Sequence, residues 1–340
     1  MRSLATVLTV SGLALAICLS FGGCKNDGQA AGDGAAKSQA ALRIAVIPKG
    51  TIHEYWKSVH AGALKAEAEC QDVQIIWKGP IKEDDREQQI NVIESFVAAG
   101  VDGIVLAPLD ELALVKPVQE AMKSGIPVVI MDSGLKAEAG RDYVGYVATD
   151  NYAGGKLAAA HMIELLGGKG DVLVLRYQHG SASTSQREDG FLEGLKAAPD
   201  IRVVSSDRYG GPTSDTAYTE AENLLTRFDR LDGIFCACEP MTFGVLKALV
   251  RAGRAGEVKL IGFDPSAKLI EAMQQGHVHA IVLQDPLNIG YLAVKKLVAH
   301  VRGERIEERI DTGCTLATPE NMNDPRIREL LSPPLEKYLP

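Results

Sequence analysis

Gly125-Ile126-Pro127-Val128-Val129-Ile130-Met131-Asp132-Ser133 decides how this chain is read. A turn residue pair leads into an unbroken apolar run rich in β-branched residues, and a carboxylate stands at the run's C-terminal end. That is the pattern of a strand buried on both faces, as in a parallel sheet. The figure occurs twice. Val101-Asp102-Gly103-Ile104-Val105-Leu106 precedes a helical stretch, the Val128 strand and Asp132; Leu231-Asp232-Gly233-Ile234-Phe235-Cys236 precedes a helical stretch, the Val258–Gly262 strand and Phe263-Asp264. The spacings nearly agree, 132 − 102 = 30 and 264 − 232 = 32. Two similar halves, each offering an aspartate from a strand end, imply a cleft between two domains.

Outward from this figure the chain alternates strand and helix. Leu42–Ile47 reads as the first strand, Glu54–Glu69 as a helix, Val73–Trp77 as a strand, Glu83–Ala99 and Leu112–Met122 as helices, and Val144–Val147 as a short strand. The pattern restarts after Thr149-Asp150-Asn151, with a helix over Tyr152–Leu166, strands at Val172–Leu175 and Val203-Val204, and a helix over Thr184–Ala197. Helices at Ser214–Phe228 and Met241–Arg251, strands at Ile234 and Leu260, a helix over Ala267–Gln275, the Ala280–Gln284 strand and a Leu287–Val301 helix follow. The tail from Glu307 carries several prolines and reads mostly as loop. Strand–helix alternation predicts an α/β fold of two doubly wound, Rossmann-like parallel-sheet domains. A length of 340 residues fits two domains and 46% hydrophobic residues suffice for two cores. A net charge of −8 argues against a nucleic-acid surface.

The N-terminus has the layout of an export signal: basic Met1-Arg2, an apolar run from Leu4 to Phe21, then Gly22-Gly23-Cys24. A cysteine directly after two glycines resembles a bacterial lipobox, so residues 1–23 are expected to be a lipoprotein signal peptide and Cys24 the lipid-anchored first mature residue. An uncleaved anchor helix is the alternative reading. Residues 24–41 are polar and aperiodic and read as a flexible tether, about 20–25 Å in root-mean-square span. The expected location is therefore periplasmic or cell-surface. Beyond the signal, Cys70, Cys236, Cys238 and Cys314 are expected as unpaired thiols. Cys236 and Cys238 are placed on one strand face at a separation marginal for a disulfide, and their spacing does not fit a Cys-x-x-Cys site.

Some motifs resolve to bland readings. Gly167-Gly168-Lys169-Gly170 lacks P-loop spacing and precedes a strand, so it reads as a helix C-cap. His277-x-His279 has no third metal ligand nearby. Ser183, beside Thr184, Ser185 and Arg187, lacks a nucleophile elbow and reads as a helix N-cap. With neither a nucleophile–base pair nor a metal cluster, no enzyme and no cofactor are expected.

Ligands in open α/β sheets sit at the carboxyl ends of the strands. Those ends offer Lys49, His53, Tyr55, Trp56, Asp132, Ser133, Arg187, Cys238, Glu239, Asp264 and Gln284. Carboxylates accept hydrogen bonds from hydroxyls, and aromatic faces cover the C–H patches of a sugar ring. One of Tyr55 and Trp56 is expected in the pocket; the residues alone also allow both to be core. Asp132 and Asp264 could instead cap turns, and Glu239 could be a helix-terminus charge. Tyr55-Trp56, Ile126-Pro127-Val128 through Asp132, Asp150-Asn151 with Gly154-Gly155, Arg187-Glu188-Asp189-Gly190-Phe191, Gly262-Phe263-Asp264 and Gln284-Asp285-Pro286 stand in this order. In that order, from about Leu42 to Gly313, the chain resembles the periplasmic sugar-binding proteins of the ribose-binding type, which feed ABC transporters.

The resemblance implies three hinge crossings, near Asp150, Gln284 and Thr312, with an N-terminal domain of 42–149 plus 285–311 and a C-terminal domain of 150–284 plus 312–340. It implies that Tyr55 and Trp56 stack on the ligand, that Asp132 and Asp264 bind hydroxyls and that Gln284 supplies an amide. The chain departs from the family at Ser133 and Ser185, where the family has arginines, at Cys238-Glu239 in place of Asn-Asp, and at His53 in place of Asn. The ligand's substitution pattern is thus expected to differ from ribose, and Lys49, His53 and Arg187 leave room for a sugar acid beside sugars and polyols. The implied function is capture of a polyhydroxylated solute by a monomer for ABC permease subunits. A sensor presenting its ligand to a membrane receptor is the alternative. A repressor core is disfavoured by the export signal and by the absence of a DNA-binding segment before Leu42.

Overall fold

The computed structural model describes residues 41–339. Cys24, the signal segment and all of the tether but Ala41 lie outside the described residues. The first lobe is built from β1 (Leu42–Ile47), α1 (Glu54–Glu69), β2 (Val73–Trp77), α2 (Arg86–Ala99), β3 (Gly103–Leu106), α3 (Val115–Lys123), β4 (Val128–Met131) and β5 (Gly145–Ala148). The second has α4 (Asn151–Leu166), β6 (Lys169–Arg176), α5 (Ala182–Leu195), β7 (Asp200–Tyr209), α6 (Ser214–Arg227) and β8 (Gly233–Cys236). It continues with α7 (Glu239–Arg251), β9 (Lys259–Phe263), α8 (Ala267–Gln274) and β10 (Ala280–Leu283). The chain then returns to the first lobe for α9 (Pro286–Val301) and β11 (Arg309–Asp311), and crosses again for β12 (Thr315–Ala317) and α10 (Pro325–Leu331).

Each lobe holds a six-stranded sheet, ordered β11-β5-β4-β3-β1-β2 and β12-β10-β9-β8-β6-β7. All pairings are parallel except β10 with β12. The order is that of a doubly wound sheet, whose switch point lies between β1 and β3 in the first lobe and between β6 and β8 in the second. The middle strands β3, β4, β8 and β10 are buried along their whole length. This explains their lack of alternation, since helices cover both faces. Apolar clusters fill the space on the two faces of each sheet.

The repeated figure now has a physical content. Asp102 and Asp232 stand just before β3 and β8, opposite the cleft, and each pins the first strand of its lobe. Asp102 accepts from Arg43 N and Asp232 from Asp171 N, both at 2.7 Å. Asp132 and Asp264 follow β4 and β9, and they are the non-glycine residues with positive φ among the described residues, at 61° and 63°. Each donates its backbone N–H to a neighbouring strand, Asp132 to Val147 O and Asp264 to Val282 O, both at 3.0 Å. A left-handed conformation costs most residues about 1–2 kcal/mol, and Asp or Asn tolerates it best. The two aspartates therefore turn the chain sharply at the strand end.

Helix packing repeats as well. A Cβ on Gly62 of α1 would stand 1.9 Å from Leu287 O, and one on Gly290 of α9 2.1 Å from Val59 O. In the other lobe the α4–α5 pair uses Gly155 and Gly190, whose Cβ atoms would lie 2.0 Å from Arg187 O and 2.2 Å from Tyr152 O. These helices touch backbone to backbone, and only glycine leaves the room.

The structure corrects several expectations. About half of the tail is loop, as expected, but the rest is not: β11 and β12 add an edge to each sheet, and Met322, Ile327 and Leu331 are buried in the second lobe's core. Of the prolines that suggested loop, Pro325 sits in the first turn of α10, where helices tolerate it, while Pro319, Pro333 and Pro334 lie outside the helices. Helix α2 begins at Arg86, capped by Asp85, which leaves Glu83 in the preceding loop. Strands β6 and β7 extend well beyond the apolar residues that signalled them. Cys238 is not on a strand but is the N-cap of α7, and Cys70, Cys236, Cys238 and Cys314 are all unpaired. Gly167 does end α4 in the left-handed conformation, with φ of 62°.

Candidate functional site

Three chain segments, near Asp150, Gln284 and Gly313, pass between the lobes and leave the carboxyl ends of both sheets facing one another. Two of them are tied side by side: Asp150 N donates to Asp311 Oδ1 at 2.9 Å, and Thr149 Oγ1 to Gly313 O at 3.3 Å. The cleft wall of the first lobe starts from Asp132, only 3% exposed. Tyr55 donates its hydroxyl to Asp132 Oδ1 at 2.7 Å, and Lys49 Nζ stands 3.2 Å from Oδ2. Lys49, delivered by the turn after β1, also reaches across to Ser183 Oγ at 2.8 Å. Tyr55 and Trp56 lie in the first turn of α1 with their rings edge to face, 5.0 Å apart and at 88°.

The wall of the second lobe starts from Asp264, which receives Gln284 Nε2 on Oδ1 at 2.7 Å and Arg187 Nη1 on Oδ2 at 3.3 Å. Burial pushes its carboxyl up to about 6, although the Arg187 charge and the Gln284 hydrogen bond pull it down. Arg187 is 3% exposed and held through Nε and Nη1: Nε donates to Asn151 Oδ1 at 2.8 Å and Nη1 to Ala237 O at 2.9 Å, while the guanidinium lies 4.0 Å from the Phe263 ring centroid. Glu239 opens α7 at the cleft's edge, and burial raises its carboxyl above the usual range.

Glu83 joins the two walls. Its Oε1 accepts from Trp56 Nε1 at 2.7 Å, its Oε2 from Tyr177 OH at 2.8 Å, and His53 Nε2 stands 3.7 Å away. Gln178 Nε2 donates to Glu83 O at 2.9 Å, and Glu111 N to Gly180 O at 2.8 Å. With these ties made, the cavity between the walls measures about 50 Å³. That is room for a few waters, against roughly 300–1,000 Å³ for ordinary ligand pockets. The lobes are closed on one another, and a solute enters only when they part.

Lys49, His53, Tyr55, Trp56, Asp132, Arg187, Cys238, Glu239 and Asp264 line this cavity together. Ser133, Ser185 and Gln284 do not. Ser133 supports the lining, its Oγ accepting from Ser183 N at 3.2 Å, and Gln284 supports Asp264. Ser185 is out of the cavity because α5 starts at Ala182, with Ser181 as N-cap, so Ser183 and Thr184 occupy its inward phase. Ser183 is thus not the N-cap expected of it. Glu83, Tyr177, Ser183, Thr184 and Pro240 are lining residues that sequence reasoning missed. Tyr177 immediately follows β6, and Glu83 lies in the loop after β2. Applying the strand-end rule to those two strands would have pointed to both. A wider groove of about 450 Å³ lies behind the crossings, between Lys65, Gln284, Thr312 and the tail residues Arg326 and Tyr338. Asp132, Asp264 and Arg187 are absent from its lining.

Residues 44–305 match the periplasmic binding protein domain family. The D-allose-binding periplasmic protein of Escherichia coli (strain K12) is 31% identical over 265 residues, covering 76% of this chain and 84% of its own. Among solved structures, an ABC transporter solute binding protein from Agrobacterium vitis with bound D-fucose aligns with a TM-score of 0.82. It is 35% identical, over 85% of this chain and all of that one. A carbohydrate transporter solute binding protein from Agrobacterium radiobacter in complex with D-arabinose gives a TM-score of 0.82 at 34% identity, over 87% of this chain and all of that one.

Proposed function

Since the chain belongs to the periplasmic binding protein domain family, we propose that it captures a monosaccharide or related polyhydroxylated solute outside the cytoplasm and presents it to the permease subunits of an ABC importer. One observation carries the reading. Asp132 and Asp264, from opposite lobes, share a buried cavity with Tyr55, Trp56 and Arg187. Two carboxylates supply acceptors for hydroxyls, Arg187 and Lys49 supply donors, and the Tyr55–Trp56 pair supplies an apolar face. No step of bond making is required of them, and the reading is of binding rather than catalysis. The binding residues are Lys49, His53, Tyr55, Trp56, Asp132, Arg187, Cys238, Glu239 and Asp264, with Ser133 and Gln284 acting behind them.

The domains are 42–149 with 285–311 and 150–284 with 312–340, and the segments near Asp150, Gln284 and Thr312 act as hinges. Hinge closure around a ligand is a general mode, for which periplasmic binding proteins are the standard example. A solute touching both walls favours closure only through contacts the open form lacks. The monomer is held at the membrane by lipid on Cys24, along the tether of residues 24–41. Support for the anchor comes from the Leu4–Phe21 apolar run and Gly22-Gly23-Cys24. Mass spectrometry of protein from its native host should show a lipid-modified Cys24 at the N-terminus. An intact Met1 end would reject the anchor.

The function is tested by thermal shift and calorimetry against aldoses, ketoses, polyols and sugar acids, followed by small-angle scattering. Binding of one or more of these solutes with saturation is expected, accompanied by a radius of gyration at saturation no larger than that of the unliganded form. Failure of every solute to bind would overturn the reading.

A further inference from the structure

The fixed charges of the cleft do not cancel. Lys49 and Arg187 are its lysine and arginine, and both are already paired, with Asp132 at 3.2 Å and Asp264 at 3.3 Å. The other donor contacts of Arg187 go to Asn151 and Ala237, and those of Lys49 to Ser181 and Ser183. Two more carboxylates line the same cavity, Glu83 and Glu239. Among the described residues no lysine or arginine lies within ion-pair distance of either; the neighbour of Glu83 is His53, at 3.7 Å. A protonated His53 would offset one of the two charges and leave the other.

Glu83 is pinned on both oxygens by neutral donors, Trp56 Nε1 from its own lobe and Tyr177 OH from the other. Glu239 stands in the first turn of α7, after Cys238, and lines the same cavity. A hydroxyl arriving here donates to a carboxylate and is welcome. An arriving carboxylate has nothing to donate. To find a cation it must share Lys49 with Asp132 or Arg187 with Asp264, with two further negative charges close by.

We infer that the cleft rejects acidic sugars and takes uncharged ones, with Glu83 and Glu239 as the specificity-determining residues. This rests on the sugar-binding reading and narrows it. The cations that left room for a sugar acid in the sequence, Lys49 and Arg187, are each already paired with an aspartate of the cleft.

The test uses the full chain and two pairs of sugars differing only at C6, D-galactose with D-galacturonate and D-glucose with D-glucuronate, together with D-allose, D-ribose, D-arabinose and D-fucose. Dissociation constants are measured by calorimetry at pH 7 and low salt. Like charges brought together at an interface discriminate strongly, so the uronates should bind the wild type at least roughly a hundredfold more weakly than the best neutral sugar. In Glu83→Gln the amide can still accept from Trp56 and donate to the Tyr177 oxygen, so the charge is removed while both contacts have partners. Glu239→Gln removes the other charge on a different element. In at least one of the two variants the uronate-to-neutral ratio should fall about tenfold or more. A uronate that binds the wild type as tightly as any neutral sugar overturns the proposal. A ratio unchanged in both variants overturns the assignment to these residues. No binding by any member of the panel overturns the sugar reading itself, and the proposal with it.

Discussion

Replacing Asp132 by asparagine tests the cleft at its most constrained residue. The side chain is buried, its backbone is left-handed, and it meets Tyr55 and Lys49. A carboxylate has about four acceptor positions. Tyr55 and Lys49 take one each, which leaves about two for ligand hydroxyls. Asparagine tolerates the φ of 61° and can still accept from Tyr55 through its carbonyl. Its amide nitrogen then faces Lys49 and the cleft, where it accepts nothing. At least one ligand hydrogen bond to a charged group is lost, worth about 1.5–3 kcal/mol, or roughly 10- to 150-fold in Kd. Alanine loses both ligand bonds and also bears the left-handed backbone without a local polar side chain, about 1–2 kcal/mol more. The expected order of apo melting temperature is therefore wild type, then Asp132→Asn, then Asp132→Ala. Calorimetry with the best ligand of the sugar panel measures affinity, and differential scanning calorimetry measures stability. If Asp132→Asn binds within threefold of wild type, the carboxylate does not hold the ligand. If Asp132→Ala melts no lower than Asp132→Asn, the turn is not conformationally demanding.

Asp264 makes stability depend on pH. Its carboxyl is raised by burial from the ordinary 3.8 to about 6, so between those values the folded state binds more protons than the unfolded chain. Its contribution is fully present below about pH 4 and is lost as pH rises through about 6, on the order of 2–3 kcal/mol. Melting temperatures of wild type minus Asp264→Asn should therefore rise on acidification from pH 6 to pH 4, and a flat difference would contradict the assignment. Gly190→Ala drives a methyl into Tyr152 O and should cost about 1–3 kcal/mol or more, roughly 2–12 °C in Tm; an unchanged Tm would show that α4 and α5 can part without penalty. Alkylation in denaturant without reductant should label Cys70, Cys236, Cys238 and Cys314, and a peptide map with any two of them joined would refute the free-thiol assignment.

Much of the molecule was legible in its residues because parallel sheets write an unusually clear pattern. A strand buried on both faces must be apolar throughout, and the turn that follows must be short. Val128–Met131 before Asp132 and the strand ending at Phe263 before Asp264 could hence be placed from the sequence, along with the side chains that the turns deliver. The same logic found Lys49 after β1 and Tyr55 at the start of α1. It found Arg187 through a motif, though a motif says nothing of partners. That Arg187 is held by Asp264, Asn151 and Ala237 is a matter of three segments meeting in space. Ser183 and Ser185 show how fine the limit is. Moving the start of α5 by two residues rotates a side chain by about 200°, and no sequence period sets a helix start that closely. Glu83 shows the other limit. It lies in a loop with no period, and its role comes from Trp56 in its own lobe and Tyr177, 94 positions away, in the other. Local sequence determined the central strands β3, β4, β8 and β9 and the residues that stand at their ends, but not the edge strands β11 and β12 or the full reach of β6 and β7. The tertiary structure alone decided which charges are neutralised within the cleft, because hydrogen bonds and ion pairs depend on distances between segments that the chain order does not encode.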